Sequence, residues 1–142
     1  MLGLIENNRM IIDITFKTAR FNLSVVGSDF INDCCFGEDL SQWLVEALNV
    51  KHIDAGVICM EDFGWANYAK YDGVDYLICV AGSPDESPDQ PNMGEWHVML
   101  ERKNSFIQKL LGKKKDCKSV TFANTVIDIL KEAGFSDVQI EP

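Results

Sequence analysis

The sequence predicts an α+β fold, a single two-layer domain with an antiparallel sheet of about five to seven strands and helices on one face. Three observations carry that expectation. Apolar and polar residues alternate strictly through several short runs, two of those runs are split by an Asp-Gly pair, and two other stretches switch to a helical period. A chain of 142 residues is one domain's worth and can bury roughly 68–70% of its unfolded surface, so it needs neither disulfide nor metal to fold.

The elements follow in order. Residues 1–9 have no period and read as a loose terminus ahead of a single domain over 10–142. From Met10, Ile12, Ile14 and Phe16 face one way against Asp13, Thr15 and Lys17, a half-buried strand. Phe21, Leu23 and Val25 continue in the opposite phase, which predicts a hairpin turning near 18–20. Leu40, Trp43, Leu44, Ala47 and Leu48 then mark one face of a helix over 38–49, with Glu38 and Asp39 complementing the positive end of its dipole. The apolar run Gly56–Met60 reads as a central strand.

Runs 65–71 and 74–81 flank Asp72-Gly73, and a type I′ turn needs positive φ at both of those positions. Gly82–Gly94 holds three of the four prolines with Asp85, Glu86 and Asp89, and is expected to be an acidic loop. Trp96, Val98 and Leu100 then alternate against His97 and Met99. Ser105–Leu111 is a short candidate helix, and 119–133 a longer one carrying Phe122, Ala123, Val126, Ile127, Leu130 and Ala133 on one face before Gly134 stops it. Val138 and Ile140 suggest a last short strand. The order is ββ-α-ββββ-αα-β.

Composition bounds function. Thirteen basic against twenty-two acidic residues give a net charge of −9, which disfavours nucleic acid and anionic membrane and favours a basic partner. Seven of the basic residues lie in 102–118 against Asp116 alone, so that stretch carries +6 and the rest of the chain −15. It reads as a solvated face, with an anion site as the alternative. No apolar run approaches the roughly 20 residues of a membrane span, and the first residues lack the pattern of a secretory signal. Cys34, Cys35, Cys59, Cys79 and Cys117 form no disulfide framework, which fits a cytoplasmic location.

Two residue groups could carry chemistry. Glu61-Asp62-Phe63-Gly64-Trp65 places two carboxylates beside two aromatics, either a sheet corner or a recognition edge for a basic protein partner. On the second reading Glu61, Asp62, Phe63 and Trp65, with Asp85, Glu86 and Asp89 of the acidic loop, are the binding residues. A partly exposed Trp65 ring, its indole N–H paired to Glu61 or Asp62, is the expected geometry. Asp33, Cys34 and Cys35 with Glu61, Asp62 and His97 form the rival set, for a small enzyme or a ligand- or metal-binding protein. That set lacks the repeated C-x₂₋₄-C pairs of zinc sites and a nucleophile elbow, so no catalytic residue, metal or cofactor is assigned.

Phe30–Leu40 (F-I-N-D-C-C-F-G-E-D-L), Trp43-Leu44 and Glu61-Asp62-Phe63-Gly64-Trp65, with Trp96 in a later strand, resemble a family of small uncharacterised bacterial proteins. Those proteins carry an acidic pair followed by an aromatic-Gly-Trp element. The resemblance spans residues 10–110 and implies a bacterial, cytoplasmic, non-enzymatic protein. In size, single domain and acidity the chain is also similar in type to immunity proteins that neutralise toxins. The leading expectation is therefore a protein-binding module of the immunity or antitoxin type.

Overall fold

A computed structural model describes residues 4–6, 9–21, 36–61, 64–84, 93–103 and 117–141. The alternating runs from Met10, Trp65, Val74 and Glu95 become strand, and the Gly56–Met60 run, expected to be central, is strand at the edge of the sheet. The strands are β1 (Leu4–Glu6), β2 (Arg9–Thr18), β3 (Asp54–Glu61), β4 (Gly64–Tyr71), β5 (Val74–Pro84), β6 (Gly94–Arg102) and β7 (Ser136–Ile140). Helices α1 (Glu38–Val50) and α2 (Cys117–Glu132) complete the described elements. All strand pairs are antiparallel, in the order β1-β2-β6-β5-β4-β3, and β7 also pairs with β2.

Both β1 and β7 lie on the flank of β2 that β6 leaves open, β1 beside residues 9–11 and β7 beside 14–17. This corrects one expectation: Leu4–Glu6 pairs with β2 as strand where a loose terminus was expected. Residues 22–25 and the candidate helix Ser105–Leu111 lie outside the described residues. β5 also runs to Pro84, so strand intrudes into the segment expected to be loop.

The Asp-Gly turn forms as expected, with Asp72 at φ 50° and Gly73 at φ 77° between β4 and β5. Gly64 is required for a different reason. It opens β4 at φ 147°, and a Cβ there would come within 2.5 Å of the Val80 carbonyl oxygen.

The core lies between the helices and one face of the sheet. β2 gives it Ile12, Ile14 and Phe16, β6 gives Trp96, Val98 and Leu100, and β5 gives Tyr76, Ile78 and Val80. Helix α1 adds Leu40, Leu44 and Leu48, and α2 adds Phe122, Ala123, Val126 and Leu130. The helical stripes match the sequence reading in part: Trp43, Ala47, Ile127 and Ala133 are only half-buried, while Val45 and Ile129, outside the expected stripes, are buried. A buried hydrogen bond clasps each helix to the sheet. Ser41 Oγ of α1 donates to Asn67 Oδ1 of β4 at 2.8 Å, and Ser119 of α2 meets the Tyr76 hydroxyl of β5 at 2.9 Å. At one end of the core Phe21 packs edge-on to Trp43, Trp96 and Phe135, and Phe135 stacks on Phe16 at 5.2 Å.

Both helices end in the same motif. In α1 the N–H of Ile53 bonds the Leu48 carbonyl and that of His52 bonds Asn49; in α2 Phe135 bonds Leu130 and Gly134 bonds Lys131. The left-handed position is Gly134 at φ 85° in α2, but His52 at φ 64° in α1. No described helix is long and apolar enough to cross a membrane.

Candidate interaction face

Because side chains alternate along a strand, the register that places the core on one face also fixes what the other face presents. Neither described helix packs there. One row across it runs Asp13, Met99, Cys79, Ala66 and Cys59, on β2, β6, β5, β4 and β3. The next row on one side runs Ile11, Glu101, Leu77, Tyr68 and Gly56. On the other side Thr15 pairs with His97 and His97 with Ala81. The middle is therefore apolar: Ala66 and Cys79 are buried, and Leu77, Tyr68 and Met99 half-buried. Carboxylates stand around it, namely Asp13, Glu95, Glu101, Asp75 and Glu61.

The electrostatics of this face hold its two thiols in the protonated form. Burial pushes the Cys79 thiol up to about 12, helped by the negative charges of Glu101 and Glu61. Cys59, whose Sγ lies 3.7 Å from Glu61 Oε1, is likewise raised, by burial first and Glu61 second. Both are neutral thiols at physiological pH, and a neutral thiol is a poor nucleophile and metal ligand. Among the described residues no group of three His, Cys, Asp or Glu is placed to hold a metal ion.

His97 Nδ1 sits 3.0 and 3.1 Å from the two carboxylate oxygens of Asp13. That hydrogen bond raises the histidine above its ordinary value, with burial opposing it and Glu95 and Glu141 adding in the same direction.

The residues singled out in the sequence are dispersed. Trp65 is 2% exposed, wedged in the core between Met60 and Val80. The expectation of a partly exposed ring is corrected and its role as an anchor withdrawn. Periodicity could not orient β4, since Gly64, Trp65, Ala66 and Asn67 are buried in succession, two on each face. Glu61 is exposed at the end of β3 on the open face. Three strand spacings separate its β3 from the β6 of His97, about 14 Å, so the two do not meet. Asp62, Phe63, Asp85, Glu86, Asp89, Asp33, Cys34 and Cys35 lie outside the described residues.

Sequence reading missed the Asp13–His97 pair and the apolar middle. A signal for each was present. Asp13 and His97 both occupy polar phases of amphipathic strands, and Leu77 and Cys79 are apolar in the phase opposite Tyr76, Ile78 and Val80. What was missing was the register that joins them. No protein-family model, curated protein or solved structure matches the chain.

Proposed function

We propose that the chain is a non-enzymatic protein-binding module that engages a basic partner over the open face of its sheet, in the manner of an immunity or antitoxin protein. The observation that carries this reading is the apolar strip of Met99, Cys79 and Ala66 ringed by Asp13, Glu95, Glu101 and Glu61. An apolar centre with a charged rim is the usual anatomy of a protein interface. Carboxylates at the rim steer a cationic partner and set its orientation, while the strip excludes water. The surplus of −15 outside residues 102–118 extends the same field over the molecule. The neutral thiols of Cys59 and Cys79 favour binding over catalysis.

The test is a pull-down from the native cell with wild-type protein and with Glu61→Lys/Glu101→Lys, at low and high salt. One partner with a basic surface, retained at low salt and lost both on charge reversal and at high salt, is the expected result. A partner held equally by both proteins, or none even at low salt, refutes the reading. The immunity type adds that a neighbouring open reading frame encodes a secreted or effector-like protein. A second reading, a small enzyme or metal-binding protein using Asp33, Cys34, Cys35, Glu61, Asp62 and His97, draws on the His97–Asp13 pair. Stoichiometric zinc in the purified protein would put it first.

A further inference from the structure

We propose that His97 and Asp13 form a pH-sensitive latch that holds the C-terminal strand β7 against β2. Strand β7 is thinly attached. None of its five residues is buried, and its pairing with β2 shifts register between Thr15 and Lys17. Its far end is held by Glu141, whose backbone N–H donates to the Asp13 carbonyl at 2.8 Å and whose carboxylate accepts from Thr15 Oγ1 at 3.5 Å. Asp13 thus serves two partners. Its backbone holds Glu141, and its carboxylate holds His97 at 3.0 and 3.1 Å.

The charges around the imidazole are unbalanced. From β2 it faces Asp13, with Lys17 two pairs along; from its own strand, Glu95; and from the end of β7, Glu141, with Asp137 further off. β5 offers Ala81 and Ser83, which do not titrate, and the neutral Cys79 on the diagonal. An imidazolium offsets the surrounding carboxylates. A neutral imidazole keeps its hydrogen bond to Asp13 through the Nδ1–H tautomer but loses the charge, and Glu141 is then left facing Asp13 and Glu95. The folded-state value of His97 is raised, so its contribution is complete below the ordinary histidine range near 6.5 and is lost as pH rises through the folded value. Thr15 and Asp13 then hold Glu141 less tightly at higher pH.

Amide hydrogen exchange on the full chain tests this. Protection of the Glu141 amide is followed relative to the Ile78 amide of the central strand β5 at about pH 5.5 and about pH 8.5, after correction for intrinsic rates. The latch predicts that the ratio falls by at least about twofold at the higher pH, where a neutral His97 no longer offsets the carboxylate of Glu141. His97→Gln retains a hydrogen-bonding side chain without titrating, and the ratio becomes flat. Asp13→Asn, which keeps the backbone carbonyl, flattens it too. A wild-type ratio that does not change with pH, or a change that persists in either variant, overturns the proposal.

Discussion

The two faces of this sheet share one backbone and one register, yet they solve opposite problems. On the inner face helices cover the sheet: Ile14, Val98, Val80 and Trp65 share one core with Leu40, Leu44 and Leu48, and the polar atoms of Asn67 and Tyr76 are matched by Ser41 and Ser119. On the outer face polar atoms answer one another within the sheet, as Asp13 does His97, and the apolar residues are mostly small or flexible: Ala66, Cys79, Met99 and Leu77. The difference shows how far burial on a β-domain depends on what covers a strand, since neighbours such as Leu77 and Ile78 have similar side chains and opposite surroundings. Ile78 is fully buried and Leu77 half-buried.

Substitutions should therefore have costs ordered by face. Trp65→Ala removes a large ring from the core, and a loss of about 3–5 kcal/mol is expected, most of a small domain's margin. A urea melt in which the midpoint barely moves would return Trp65 to the surface. Asn67→Ala strips the partner from the buried Ser41 hydroxyl and should cost about 1–3 kcal/mol. In the double variant with Ser41→Ala part of that cost should be recovered; strict additivity would mean the clasp contributes nothing.

Smaller and of opposite sign is the effect at the end of α1. His52 holds a left-handed φ of 64° at the position where α2 uses Gly134, and side chains in that conformation are strained by about 1–2 kcal/mol. His52→Gly relieves that strain but frees the unfolded chain, so a net gain of up to about 1 kcal/mol is expected, seen as a higher melting midpoint. An equal loss would show that the His52 side chain makes a contact that outweighs its backbone strain.

How much of this was legible in the sequence follows from the range of each signal. Local signals read well. The Asp72-Gly73 turn, the stripe Leu40-Leu44-Leu48 and the alternation of Tyr76, Ile78 and Val80 each report on a few neighbouring residues, and each stands in the fold. Signals that depend on register did not read. Asp13 and His97 are 84 positions apart, and Ser41 and Asn67 are 26 apart, so only the assembled sheet brings them together. Leu4–Glu6 is too short to show a period, and Trp65 was ambiguous because small Ala66 is buried on the opposite face beside it. The candidate face was half visible: Glu61 was named, whereas its apolar middle was split over three strands.

One pair of adjacent substitutions tests the two-faced account most directly. Ile78→Arg and Leu77→Arg place the same charge one residue apart on opposite faces, and both are followed by urea melts and by capture of the partner. Ile78→Arg should not fold, because an arginine in the centre of the helix-covered core has no partner for its charge. Leu77→Arg should keep a cooperative melt within about 1 kcal/mol of wild type and lose the proposed basic partner, since it sets a like charge in the middle of the proposed docking strip. Equal destabilisation by the two, or a folded Leu77→Arg that still captures the partner, would contradict the account.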